Sequence, residues 1–202
     1  GYAQLTAAEL KDKGVDEQAV SDLDAMVLET QRLGRLVDET QKASLSQHEG
    51  KFALIEATIK QLTKLYSPIL EKRNTRLIIE IEKELPAVRC GQDELMQVLF
   101  NLLNNADKHG KSDEISITAK LEGDFIKVCV SEKSIGITPE DLPHIFDKYF
   151  VGGERGTTGS GLGLFICKEI IEAQGGNIKI ESVFGKGTSA CFTLPIIQKQ
   201  SC

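Results

Sequence analysis

The stretch Asp93–Gly110, DELMQVLFNLLNNADKHG, decides how the rest of the chain is read. Leu95, Val98, Leu99, Leu102 and Leu103 recur at threes and fours, so they form the buried stripe of a helix expected over Asp93–His109. Asn101, Asn105 and Lys108 fall at i, i+4 and i+7 and share one face beside that stripe. Asparagine is a weak helix former, yet Asn101, Asn104 and Asn105 fall within five consecutive positions. Either these side chains simply face solvent, or binding offsets the lost propensity. In the second reading an amide oxygen is a hard donor suited to Mg²⁺, and Lys108 meets phosphate charge.

The glycines supply the second signal. Gly152, Gly153, Gly156, Gly159, Gly161 and Gly163 crowd into twelve residues, interleaved with Thr157, Thr158 and Ser160. The run GTTGSGLGL opens directly into a segment of helical pattern, Leu162–Gln174. Backbone amides freed by glycine and aimed from a helix N-terminus hold phosphate oxygens. No Gly-Lys-Ser/Thr follows, so this is not a P-loop, and no strand precedes it as a dinucleotide fingerprint requires. A Gly-rich stretch alone is as easily a flexible loop; the helix start behind it favours a ligand.

The surroundings read as an α+β domain. Ala57–Lys72 is helical in pattern. Phe52–Ile55, Thr75–Glu82 and Val88–Cys90 read as strands, and Glu114–Leu121 with Phe125–Ser131 as a hairpin turning at Gly123. Asn177–Val183 and Thr188–Leu194 form a second hairpin around Gly185–Gly187. Helices and strands segregate rather than alternate, which predicts a mixed sheet with helices layered on one face. Before this domain, Gln18–Leu45 has the stripe of one long amphipathic helix, preceded by a shorter one near Leu5–Lys13. Such a helix needs a partner to cover it, either the short segment or a second copy of the chain. Ser46–Phe52 is the break, giving expected domains of 1–50 and 51–202.

The 202 residues carry 24 Lys+Arg against 30 Asp+Glu, a net charge of −6. With no basic cluster, that balance argues against a nucleic-acid surface or a membrane-surface helix. No apolar run approaches the ~20 residues of a membrane span. The five cysteines (Cys90, Cys129, Cys167, Cys191, Cys202) have no metal-ligand or CxxC spacing. In VCV and ACF they read as small buried hydrophobes of a reducing compartment.

The order NLLNNADKH, VSEKSIGI, IFDKYF, GSGLGL resembles the N, G1, F and G2 boxes of the sensor histidine kinase ATP-binding domain. GKGTSACFTLP is similar to that family's closing hairpin, so the resemblance covers about Phe52 to Pro195. It implies the Bergerat fold, an α/β sandwich shared with gyrase, Hsp90 and MutL ATPases, with ATP under a lid. By the same resemblance Asn105 holds Mg²⁺ and, with Lys108, serves catalysis; Asn101, Lys108 and His109 line triphosphate and ribose. Gly159, Gly161 and Gly163 supply lid amides, with Leu162 and Leu164 packing beside them. Gly136 adjoins the adenine, Thr188 helps bind the base, and Phe146 and Phe150 anchor the lid.

One box departs from the pattern. The family's Asp-x-Gly-x-Gly is here Glu132, Ser134 and Gly136. Glu132 keeps the charge that accepts the adenine amino group, one methylene further out. Either this geometry weakens ATP binding about ten- to a hundredfold, or a shifted strand end lets Glu132 reach the same atom.

The helical segment resembles the later part of that family's dimerisation and phospho-acceptor domain, a helical hairpin remnant whose acceptor histidine is expected upstream of Gly1. His48-Glu49 is followed by GKF, not the family's threonine-proline, so His48 is not expected to be the acceptor; His144 is expected at the surface. The resemblance thus implies a two-component kinase core, using Mg·ATP to phosphorylate a histidine and then a response-regulator aspartate. Its setting would be a homodimer in the cytoplasmic portion of a bacterial sensor, held at the membrane only by segments outside this chain. Two alternatives stand beside it: a degenerate regulatory module that does not use ATP, and an anti-sigma-type serine kinase, which the long helical segment disfavours.

Overall fold

The computed structural model describes residues 52–110, 113–152 and 161–197, with His109 described in its backbone only. The segments Leu5–Lys13 and Gln18–Leu45, and the residues His48 and Gly159, lie outside the described residues. The described residues all fall within one compact unit.

In chain order the elements are α1 (Ile55–Lys72), β1 (Arg76–Ile81), α2 (Gln92–Gly110), β2 (Glu114–Glu122), β3 (Phe125–Glu132), a 3-10 turn at Leu142–His144, α3 (Gly163–Ala173), β4 (Asn177–Val183) and β5 (Gly187–Pro195). The strands form one sheet in the order β1-β2-β3-β5-β4. β1 runs parallel to β2, and the remaining neighbours are antiparallel. This is the mixed α+β architecture read from the sequence.

Period-two alternation sorts the sheet into an inner and an open face. Ile115, Ile117, Ala119, Ile126, Val128, Val130, Ile178, Ile180, Ala190, Phe192 and Leu194 are buried inside. The helical stripes meet them: Ile55, Ile59, Leu62 and Leu70 from α1, and Leu95, Val98, Leu99, Leu102 and Leu103 from α2. Helix α2 packs against both α1 and α3, and so occupies the middle of the helical layer. Each such aliphatic side chain contributes roughly 1.5–3 kcal/mol by its burial. Among the described residues no helix is long and apolar enough to cross a membrane.

Two local readings change. Neither Phe52–Ile55 nor Val88–Cys90 is a strand; Ala53 makes one bridge to Val88, which also bridges Ile196, and Ile55 begins α1. The Leu54 carbonyl accepts both the Thr58 amide at 3.0 Å and the Thr58 hydroxyl at 2.9 Å, which starts the helix early. The cysteines divide in two. Cys90 and Cys167 are buried, whereas Cys129 and Cys191 are half-buried and joined by a disulfide. The alternation is the reason: Val128, Val130, Ala190 and Phe192 take the inner positions, so the cysteines between them fall on the open face, directly opposite each other.

Candidate functional site

The three asparagines of α2 have three environments. Asn101 is buried and donates its Nδ2 to the Gly163 carbonyl at 3.3 Å, tying α2 to the start of α3. Asn104 turns toward α1, where the Tyr66 hydroxyl donates to its Oδ1 at 3.3 Å. Asn105, one turn beyond Asn101 on the same face, is half-exposed, and Lys108 at the end of that face is exposed. His109 lies in the last turn of α2.

Sequence reasoning passed over the residue that fixes this helix. Asp107 is buried, and its Oδ2 accepts from the Tyr66 hydroxyl at 3.1 Å and from the Arg73 guanidinium at 3.0 Å. Helix α1 and its C-cap residue thereby lock the rotation of the helix that presents Asn105 and Lys108. The signal was present as an acid two residues past Asn105, but its partners lie 34 and 41 residues away in sequence.

A second cluster forms where β3 ends. Glu132 is 8% exposed, opposite Thr188 in the β3–β5 register. Its Oε2 is fully buried and has no hydrogen-bond partner among the described residues. Such an orphaned acceptor costs about 1–3 kcal/mol unless something donates to it. The Thr188 hydroxyl sits 3.1 Å from that of Ser182, another residue that sequence reasoning missed. Ser182 Oγ accepts the Ile137 amide at 2.8 Å and donates to the Gly187 carbonyl at 2.9 Å, so one hydroxyl joins the loop after β3 to the β4–β5 hairpin. Gly136 lies between them with φ +71°, and a Cβ there would stand 2.6 Å from the Val183 carbonyl. Its smallness therefore serves this loop-to-hairpin contact. Ser134 Oγ approaches the Gly136 amide at 3.5 Å.

The glycine-rich run enters α3 under similar constraint. Gly161 has φ +65°, and a Cβ there would meet the Tyr149 backbone at 2.4 Å; its carbonyl accepts the Tyr149 amide at 3.0 Å. Leu162 caps α3, Gly163 opens it, and Leu164 packs against the core with Phe146 and Phe150. Lys168 of α3 lies 5.8 Å over the Phe146 ring and Lys148 lies 4.6 Å over the Phe165 ring, two crossed cation–π contacts joining the same segments. His144 is exposed, with Nδ1 2.9 Å from Asp147 Oδ2. Cys167 is buried between α3 and α2, and burial pushes its thiol up to about 12, so it stays protonated at neutral pH.

Asn101 thus joins α2 to the amide end of α3, while Glu132, Gly136 and Thr188 meet at the other cluster. Gly159 is outside the described residues. No group of three or more His, Cys, Asp or Glu able to hold a metal occurs among the described residues. One half-exposed amide oxygen at Asn105 still fits Mg²⁺, which keeps most of its waters and takes phosphate oxygens rather than a protein cage.

The chain is 32% identical over 184 residues to sensor histidine kinase WalK of Bacillus subtilis (85% of this chain, 30% of the relative). It is 34% identical over 181 residues to sensor protein SrrB of Staphylococcus aureus (85% and 31%). It therefore spans about a third of the length of these relatives. The catalytic domain of histidine kinase ThkA superposes with a TM-score of 0.64 at 29% identity, over 73% of this chain and 96% of that one. A complex of ThkA with response regulator protein TrrA superposes with a TM-score of 0.63 at 25% identity, covering 97% of this chain and 57% of that one. Residues 90–198 match the family described as Histidine kinase-, DNA gyrase B-, and HSP90-like ATPase, a span holding α2, the Glu132 cluster and the start of α3. With its site elements inside that match, the chain belongs to this ATPase family.

Proposed function

We propose that this chain is the kinase core of a two-component sensor histidine kinase, an ATP-dependent phosphotransferase. The observation that carries the reading is the Glu132 Oε2 beside Thr188, buried and without a hydrogen-bond partner among the described residues. An amino group on a purine ring is the donor that oxygen lacks. A module that had abandoned nucleotide would keep this cost with nothing to offset it.

In this reading residues 1–50 belong to a dimerisation hairpin and 51–202 to the ATP-binding domain. Glu132, Gly136 and Thr188 hold the base. Asn101 and His109 line ribose and triphosphate, and the amides of Gly159, Gly161 and Gly163, with Leu162 and Leu164 packed behind, meet phosphate at the positive end of α3. Asn105 offers its amide oxygen to Mg²⁺, which when bound neutralises charge on the transferring phosphoryl group; Lys108 adds a second local positive charge. The acceptor histidine is supplied from outside this chain, in a homodimer, and a response-regulator aspartate takes the phosphoryl group next, as the ThkA–TrrA complex makes reasonable for a relative. The intact protein would place this domain in the cytoplasm beneath a membrane anchor. Labelled ATP should therefore leave His48 unlabelled.

A titration with a fluorescent ATP analogue tests the base contact. The chain and Glu132→Asp should both bind, and Glu132→Ala should weaken binding about ten- to a hundredfold. No binding by the chain or by Glu132→Asp would favour a module that does not use ATP.

A further inference from the structure

Cys129 on β3 and Cys191 on β5 are register partners with Cα atoms 4.1 Å apart and their sulfurs bonded. Both lie half-buried on the open face, unlike the buried thiols Cys90 and Cys167. Two lysines share that face: Lys179 is the β4 partner of Cys191, and Lys127 lies two residues before Cys129. Glu181 holds Lys179 at 2.7 Å and Glu122 stands 3.9 Å from Lys127, which keeps both ammonium groups on this surface. Cationic neighbours favour a departing thiolate, and exposure admits an attacking one. The pair is also placed to be felt at the site. Cys129↔Cys191 lies three rungs from Glu132↔Thr188 on the same two strands, roughly 10 Å along them.

We propose that Cys129–Cys191 is a reversible thiol–disulfide pair, reduced by small thiols of the glutathione class, whose state tunes how firmly the ends of β3 and β5 hold the nucleotide base. The tuning rests on the nucleotide reading given above. In the exchange, one small thiolate attacks a cysteine sulfur; the S–S bond breaks and the other cysteine leaves as thiolate. A second small thiolate attacks the sulfur of the bound small thiol, releasing the small disulfide and the second protein thiolate. The protein pair gains two electrons and two protons, and two small thiols become one disulfide. The covalent tie between the strands is then lost while their hydrogen bonds remain, so the effect is graded.

The test uses the full chain carrying Cys202→Ser, equilibrated at graded ratios of reduced to oxidised small thiol. Accessible thiols are alkylated without denaturant and mapped by mass, and the fluorescent ATP analogue is titrated at each ratio. Cys129 and Cys191 should become alkylated together on reduction and protected again on reoxidation, with Cys90 and Cys167 unmodified. The nucleotide Kd should rise about fivefold on reduction. The double variant Cys129→Ser/Cys191→Ser should bind with the reduced-state affinity at every ratio. A pair that stays bonded in large excess of thiol overturns the exchange, and a Kd equal in both states overturns the tuning. Absence of nucleotide binding in both states overturns the nucleotide reading and the tuning with it, whereas reversible alkylation at 129 and 191 would still uphold the exchange.

Discussion

Glu132 and Gly136 show how few atoms bound the proposed base end of the site. In the sequence, Glu132 read as a departure from a family motif, with its effect on binding open. The fold places its Oε2 out of water without a donor among the described residues, a fact no spacing could reveal because it depends on β5 arriving opposite β3. Gly136 is the reverse case: its position in a motif suggested proximity to adenine, and its smallness is explained by the Val183 carbonyl 2.6 Å from where a Cβ would lie. Gly136→Ala combines that collision with a positive φ and should lower stability by about 1–3 kcal/mol. Thermal unfolding measures this, and an unchanged melting temperature would show that loop and hairpin do not depend on each other.

Element by element, the sequence was most legible where one period governs a long run. Helix α2 and the four antiparallel strands came from periodicity alone. What was hidden are the ties between elements, because Tyr66 and Arg73 belong to α1 and its C-cap, Asp107 belongs to α2, and only packing unites them. Asp107→Ala should cost about 1–3 kcal/mol and lower phosphoryl transfer further than stability alone accounts for, since α2 would be free to turn Asn105 and Lys108. Equilibrium unfolding beside a kinase assay on the intact sensor separates the two effects; a variant as stable as its parent would remove the lock. Between α2 and α3, Cys167 adds a pH dependence. Its thiol rises from the ordinary 9.0 to about 12 in the fold, so the unfolded chain loses that proton first. The linked stability is intact below pH 9 and declines as pH rises toward 12. Cys167→Val should flatten that decline in unfolding measured against pH, and an identical slope would contradict the buried thiol.

At the scale of the whole molecule, the composition argued against a nucleic-acid or membrane surface but did not show that the open sheet face carries a covalent pair. The readings VCV and ACF were right about apolar neighbours and wrong about which face the cysteines share with them. The net charge of −6 frames the remaining problem, since an acidic chain must hold a triphosphate through a few local groups. The most direct measurement is a calorimetric titration of the full chain with a non-hydrolysable ATP analogue, with and without Mg²⁺, beside Asn105→Ala. Saturable one-to-one binding is expected, weakened about tenfold by removing Mg²⁺ or the Asn105 amide, in keeping with the loss of a charge-assisted contact. Absence of saturable binding by the unaltered chain, or binding indifferent to both Mg²⁺ and Asn105, would contradict it.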